Sequence, residues 1–227
     1  MVAISNKYKF VFLKSRKTAG TSIERALFPF CTKLDDDLPL DLSESRYGEG
    51  VARGPAPDGW RPHIPAARVR RRLGQEKWDS YFRFTAVRNP FDRVVSHFFW
   101  LRREDAIAKS DSFDEVRSAF RQFCVRPRYA TDTDIVMIDD QFVAQDAIRY
   151  ECLSDDLTRI ATKLGFEKPL EPLPEFNKGI RKWGDVPVSD FYDEKSKDAV
   201  KRTMRWVFDN FDYSEDPRDV RIPEISL

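Results

Sequence analysis

Tyr8-Lys9-Phe10-Val11-Phe12-Leu13, then Lys14-Ser15-Arg16, then Lys17-Thr18-Ala19-Gly20-Thr21-Ser22, then Ile23-Glu24-Arg25-Ala26-Leu27-Phe28 is the stretch on which the fold turns. Its opening is short and rich in β-formers, which predicts a strand. Lys14-Ser15-Arg16 breaks that strand. From Thr21 to Phe28 the apolar residues Ile23, Ala26 and Leu27 fall at helical spacing, and Pro29 ends the helix. A strand, a Gly-containing turn and a helix together present backbone N–H groups, and the positive end of a helix dipole, to an anion. Thr18, Thr21 and Ser22 add hydroxyl donors, and Lys17 adds a mobile positive charge. Gly20 gives the backbone the freedom and close approach that a phosphate needs. A helix N-terminus capped by its own Thr or Ser accounts for the same residues, so this segment alone leaves both readings open.

The pattern recurs downstream. Tyr81-Phe82-Arg83-Phe84-Thr85-Ala86-Val87 predicts a second strand, ended by Arg88-Asn89-Pro90, and Pro90 suits the first turn of a helix. Phe91, Val94, Val95, Phe98 and Leu101 line one face of that helix. Arg88, at the strand's end, can grip a phosphate bidentately, and Ser96 on the helix supplies another donor. Alternatively, Arg88 makes an ion pair and Ser96 bonds back to its own helix. A short basic helix is predicted over Pro65 to Leu73, closed by Gly74, and an amphipathic one over Phe113 to Val125. A third strand is expected near Ala147 to Tyr150, a helix from Asp155 to Leu164 ending at Gly165, and a last helix from Ser189 through Phe211. Val200, Met204, Val207, Phe208 and Phe211 form the core stripe of that last helix. Residues 35–62 read as a long irregular loop and residues 166–188 as a proline-rich one, the two segments expected to shape an acceptor pocket. Alternating strands and helices predict an α/β fold with a central, mostly parallel sheet flanked by helices, in a single domain over residues 1–227.

Composition narrows the function classes. The 39 Lys and Arg against 38 Asp and Glu give a net charge of +1, which argues against a nucleic-acid binder. A hydrophobic share of 41%, with 18 Phe and 5 Trp, is enough for a substantial core. Cys31, Cys124 and Cys152 are odd in number, no CxxC pair occurs, and His63 and His97 are the only histidines. A disulfide framework and a zinc site are therefore not expected, and the cysteines read as small buried hydrophobes. Neither a signal-peptide layout nor a run approaching membrane-span length is found. The expectation is a cytoplasmic protein.

Lys17-Thr18-Ala19-Gly20-Thr21-Ser22 resembles the 5′-phosphosulfate loop of sulfotransferases that use 3′-phosphoadenosine-5′-phosphosulfate (PAPS), in the branch of the Golgi-type carbohydrate enzymes that act on heparan- and chondroitin-like glycans. Val87-Arg88-Asn89-Pro90-Phe91-Asp92-Arg93-Val94-Val95-Ser96 is similar to the same family's 3′-phosphate segment, with Arg and Ser at this spacing. Weaker likeness continues in three places. Arg149-Tyr150-Glu151-Cys152-Leu153 with Asp156 resembles a segment after a later strand, Asn177-Lys178 a loop that closes over the nucleotide, and Phe191-Tyr192 through Phe211-Asp212-Tyr213 the C-terminal helix.

The resemblance implies a P-loop-like three-layer fold, PAPS as donor with PAP as product, no metal, and a glycan or small-molecule acceptor. It implies nucleotide contacts from Lys17, Thr18, Ala19, Gly20, Thr21, Ser22, Arg88, Ser96, Asn177 and Lys178. Lys17 suits the neutralisation of the leaving oxygen. In the family a histidine between the two phosphate motifs serves as base, a place that His63, between Pro62 and Pro65, fills here. His97 and Asp58 compete with it, His97 reading better as a packing residue. Arg68, Arg70, Arg71 and Arg72 read as a solvated helix face, with contact to an anionic glycan as the other reading. Two rivals stay open. One is a nucleoside or small-molecule kinase with a variant phosphate loop, against which the Walker A pattern is missing. The other is a non-catalytic PAP-binding protein.

Overall fold

The computed structural model describes residues 3–31, 63–126, 129–168, 170, 173 and 181–225. In chain order the elements are β1 (Ala3–Ser5), β2 (Phe10–Leu13), α1 (Gly20–Leu27), α2 (Ala66–Leu73), α3 (Gln75–Ser80), β3 (Phe82–Val87), α4 (Pro90–Leu101), α5 (Ala106–Lys109) and α6 (Phe113–Val125). There follow α7 (Thr133–Val136), β4 (Met137–Ile138), β5 (Gln141–Phe142), β6 (Asp146–Arg149), α8 (Leu153–Leu164), α9 (Glu194–Thr203) and α10 (Arg205–Asn210). They fall into two compact units. One comprises Met1–Val87 and Asp132–Phe176, the other Arg88–Thr131 and Asn177–Ser226.

The first unit holds the sheet, in the order β1-β2-β3-β6. β2, β3 and β6 run parallel, and β1 pairs antiparallel at the edge. Period-two alternation sorts the strand residues. Phe10, Phe12, Phe84, Ala86 and Ile148 pack with Ile23 and Leu27 of α1 and Leu157 and Ile160 of α8. The alternate residues Val11, Leu13, Thr85 and Ala147 are buried as well, as expected for a parallel sheet covered on both faces. Each such Phe contributes about 1.5–3 kcal/mol by leaving water. Charged groups fasten α8 to β6. Arg149 meets Asp156 at 2.8 Å, and Asp146 receives Arg159 at 2.7 Å and Lys163 at 3.1 Å. This is the α/β architecture the strand–helix alternation predicts. Leu13 pairs with Thr85, so β2 and β3 end almost level, and each leads into one of the motifs.

The second unit is built around α4. Phe98 meets Phe120 and Phe123 edge-on, and Phe120 meets Phe191 and Tyr192 in the same way. The Tyr192 hydroxyl donates to the Phe91 carbonyl at 2.8 Å. The buried Arg93 reaches the Ala130 carbonyl at 3.1 Å and the Met204 sulfur at 2.8 Å.

Helix ends fall close to their expected places, and Gly165 closes α8 in the left-handed conformation at φ 67°. The last helix departs from expectation. It is interrupted after a 3-10 turn at Val188–Phe191, because Asp193 is extended and caps α9 reciprocally with Ser196. A second break at Met204 separates α9 from α10. Val200, Met204, Val207 and Phe211 are nonetheless buried, whereas Leu101, expected on the core face of α4, is 45% exposed. The short β1, β4 and β5 escaped the sequence pattern because two or three residues carry no periodicity. Cys31 and Cys124 are buried, Cys152 is partly so, and all three are free thiols.

Candidate active site

Six residues, 14–19, separate β2 from α1, and their conformation is held from below. Lys14 turns inward beneath the loop and meets Glu24 at 2.5 Å with both side chains buried, while its ammonium also reaches Thr21 Oγ1 at 3.4 Å. Glu24 can do this because it sits in the buried stripe of α1 beside Ile23 and Leu27. A Cβ at Gly20 would lie 2.9 Å from Lys14 Cγ and 3.2 Å from the Ser15 carbonyl oxygen. Gly20 is thus required by close approach to Lys14, and the left-handed positions of the loop fall on Lys17 (φ 64°) and Ala19 (φ 58°) instead. Non-glycine residues in that region carry strain of order 1–3 kcal/mol, which concentrates at functional sites.

No side chain caps α1, so the Thr/Ser-cap reading of this segment fails. The Thr18 hydroxyl is buried and faces Ser15 Oγ at 2.9 Å, and Ser15 Oγ in turn donates to the Ala86 carbonyl on β3. Thr18 therefore holds the turn with its hydroxyl. The first-turn N–H groups of α1 have no intrahelical acceptor, and the dipole of the helix points its positive end at the loop.

Two further groups complete this site. The buried carboxylate of Asp132, itself left-handed at φ 63°, accepts from the Arg16 backbone N–H at 2.6 Å and from the Arg16 guanidinium. His63 lies 2.9 Å from the Lys14 carbonyl through Nδ1. A carbonyl only accepts, so Nδ1 carries the proton and Nε2 keeps its lone pair. Burial, with the charges of Arg16 and Lys14, holds the His63 pKa down to about 4 despite the Lys14 hydrogen bond and Asp132. The imidazole is neutral at physiological pH. Lys14, Arg16, Glu24 and Asp132 were not anticipated. A charge inside the Ile23–Leu27 stripe marked Glu24, whereas nothing local marked Asp132.

In the second unit, Asn89 caps α4, accepting from the N–H groups of Phe91 at 3.0 Å and Asp92 at 3.3 Å. Arg88 does make the ion pair weighed for it, with Asp92 at 2.6 Å. Ser96 is half-buried one turn further along. His97 is buried with its ring 6.2 Å from that of Tyr129, in keeping with a packing role. Asn177, Lys178, Asp58 and the whole 35–62 loop lie outside the described residues, as does much of 166–188.

The pattern of the sulfotransferase family matches residues 1–182, a span that includes residues 17–22, 87–96 and His63. The chain belongs to the sulfotransferase family. Among relatives of this sulfotransferase-family chain, carbohydrate sulfotransferase 10 of Xenopus laevis is 24% identical over 236 residues, covering 88% of this chain and 63% of that protein. An uncharacterized protein of Archaeoglobus fulgidus is 26% identical over 109 residues, covering 48% of this chain and 88% of the other. No solved structure matches. The likeness to a carbohydrate sulfotransferase, of the Golgi-type branch that the motifs resemble, overturns the expectation of a cytoplasmic protein. Among the described residues no helix is long and apolar enough to cross a membrane, and no group of three His, Cys, Asp or Glu gathers as a metal site.

Proposed function

We propose that this member of the sulfotransferase family moves a sulfuryl group from PAPS to a hydroxyl on a carbohydrate. The observation that carries the reading is the uncapped, Gly20-dependent N-terminus of α1 in the same unit as a histidine whose Nε2 is fixed as an acceptor. Lys17 to Ser22 take the 5′-phosphosulfate, and Arg88 and Ser96 take the 3′-phosphate. Asn177 and Lys178 also contact the nucleotide. A carbohydrate acceptor is supported by the likeness to carbohydrate sulfotransferase 10.

In the proposed step the acceptor oxygen bonds to sulfur as the bond from sulfur to the bridging phosphate oxygen breaks, in line. The acceptor's proton passes to His63 Nε2, and PAP departs. Lys17 sets positive charge against the bridging oxygen as it becomes anionic, where a cation acts more strongly than on the ground state. Arg16 and Lys14, bound to Asp132 and Glu24, keep the loop in shape.

The test is transfer of labelled sulfate from PAPS to a panel of glycans. The native chain is expected to turn over, and Lys17→Ala to lower kcat by about 10²–10³-fold. Failure to bind PAP at micromolar concentration sinks the proposal. Binding without transfer to any glycan returns the chain to the PAP-binding rival, and magnesium-dependent ATP consumption to the kinase.

A further inference from the structure

A hydroxyl holds an anion only through its proton, and the two threonines of residues 17–22 differ in where that proton goes. Ser15 Oγ donates to the Ala86 carbonyl, so in the 2.9 Å contact between Ser15 Oγ and Thr18 Oγ1 the donor is Thr18. The other partner of that hydroxyl, the Ser15 carbonyl at 3.3 Å, also takes a proton from it. Thr18 is buried, and its proton is used inside the loop. Thr21 is in the opposite state. The Lys14 ammonium carries donors alone, so at 3.4 Å Thr21 Oγ1 accepts and keeps its own proton for another partner. Thr21 is half-buried in the first turn of α1, and no acceptor for that proton is found among the described residues.

Lys14 is fixed for this task by its surroundings. Its side chain is buried, with Nζ 2.5 Å from Glu24 Oε2 and Cγ packed beneath Gly20. Because the Lys14–Glu24 pair is neutral, it brings no net charge to a bound anion. What it sets is the direction in which Thr21 can donate. The main chain of the same residue serves the other half of the site, since the Lys14 carbonyl accepts from His63 Nδ1 at 2.9 Å. One residue thus aims a donor with its ammonium and an acceptor with its carbonyl.

We infer, resting on the PAPS reading above, that Lys14 is a positioning residue. Its ammonium, held by Glu24, turns the Thr21 hydroxyl outward as a donor to the 5′-phosphosulfate. Thr18 gives that anion no side-chain hydrogen bond.

Calorimetric titration with PAP and with adenosine 3′-phosphate, which lacks the 5′ group, tests it. The native chain is expected to prefer PAP. Thr21→Val should weaken PAP by roughly 10–100-fold, the loss of one hydrogen bond to a charged group, and leave adenosine 3′-phosphate within about twofold. Lys14→Met with Glu24→Leu replaces both members of the pair by apolar side chains and strands no charge. In that background Thr21→Val should cost less than about threefold, because the hydroxyl is no longer aimed. Lys14→Met alone, in which the buried Glu24 can take up a proton, carries the same comparison should the double variant fail to fold. An undiminished cost of Thr21→Val in these backgrounds overturns the role of Lys14, as does a native chain in which Thr21→Val leaves PAP binding unchanged. Equal weakening of both nucleotides by the Lys14 variants would mean a merely structural role and overturn it too. A native chain with no preference for PAP over adenosine 3′-phosphate instead overturns the PAPS reading of residues 17–22 itself.

Discussion

His63 is held in one tautomer by a bond to the Lys14 main chain and kept neutral by burial beside Arg16 and Lys14. A base needs that state, and the depressed pKa sets the pH over which it persists. If His63 accepts the acceptor's proton, the acid limb of kcat/KM should have its midpoint near 4, well below the 6.5 of an ordinary imidazole. An acid limb near 6.5 excludes His63 as the titrating base. His63→Ala should lower kcat by about 10²–10⁴-fold with PAP affinity nearly unchanged. Stability follows the same linkage. The unfolded histidine takes up its proton near 6.5 and the folded one near 4, so unfolding becomes easier as pH falls between those values. The sequence marked His63 through its place between the motifs, but its tautomer depends on a main-chain oxygen 49 positions away, which no local pattern encodes.

At the scale of elements, α1 and α4 both start where a parallel strand ends, yet they start differently. Asn89 caps α4, and α1 has no side-chain cap but a buried Lys14–Glu24 pair under its first turns. Helix positions were legible because their spacing is local, whereas the Lys14–Glu24 pair was not anticipated, because Lys14 reads as part of the polar break after a strand. Removing one member of a buried pair strands the other charge. Glu24→Gln should therefore cost about 3–5 kcal/mol in urea unfolding. A loss below about 1 kcal/mol would mean that Lys14 finds water or another acceptor. Gly20→Ala tests the same packing from above, with about 1–3 kcal/mol of overpacking expected from its contact with Lys14. The C-terminal helix expected as one piece is broken at Asp193 and Met204, and spacing does not show the breaks because the apolar stripe runs on through them.

For the whole molecule, alternation of strands and helices was enough to give the α/β class, because a parallel sheet needs a crossover between neighbouring strands. Contacts such as Arg16 with Asp132, 116 residues apart, were beyond the sequence because nothing along the chain pairs them. Near-neutral overall charge has a consequence for binding: with 39 basic and 38 acidic residues there is no general field to collect nucleotides. Stabilisation by a nucleotide must come from the local sites and should be selective. A ligand that binds the native state at about 100 times its Kd adds about 2.7 kcal/mol. For a chain of this size that amounts to a rise in Tm of about 5–10 °C. PAP should produce such a rise, magnesium-ATP at the same concentration should produce little, and Lys17→Ala should remove most of the PAP effect. If magnesium-ATP raised Tm as far as PAP, the loop would be selecting polyphosphate rather than a nucleotide phosphorylated at both its 3′ and 5′ positions, and the kinase reading would displace the sulfotransferase one.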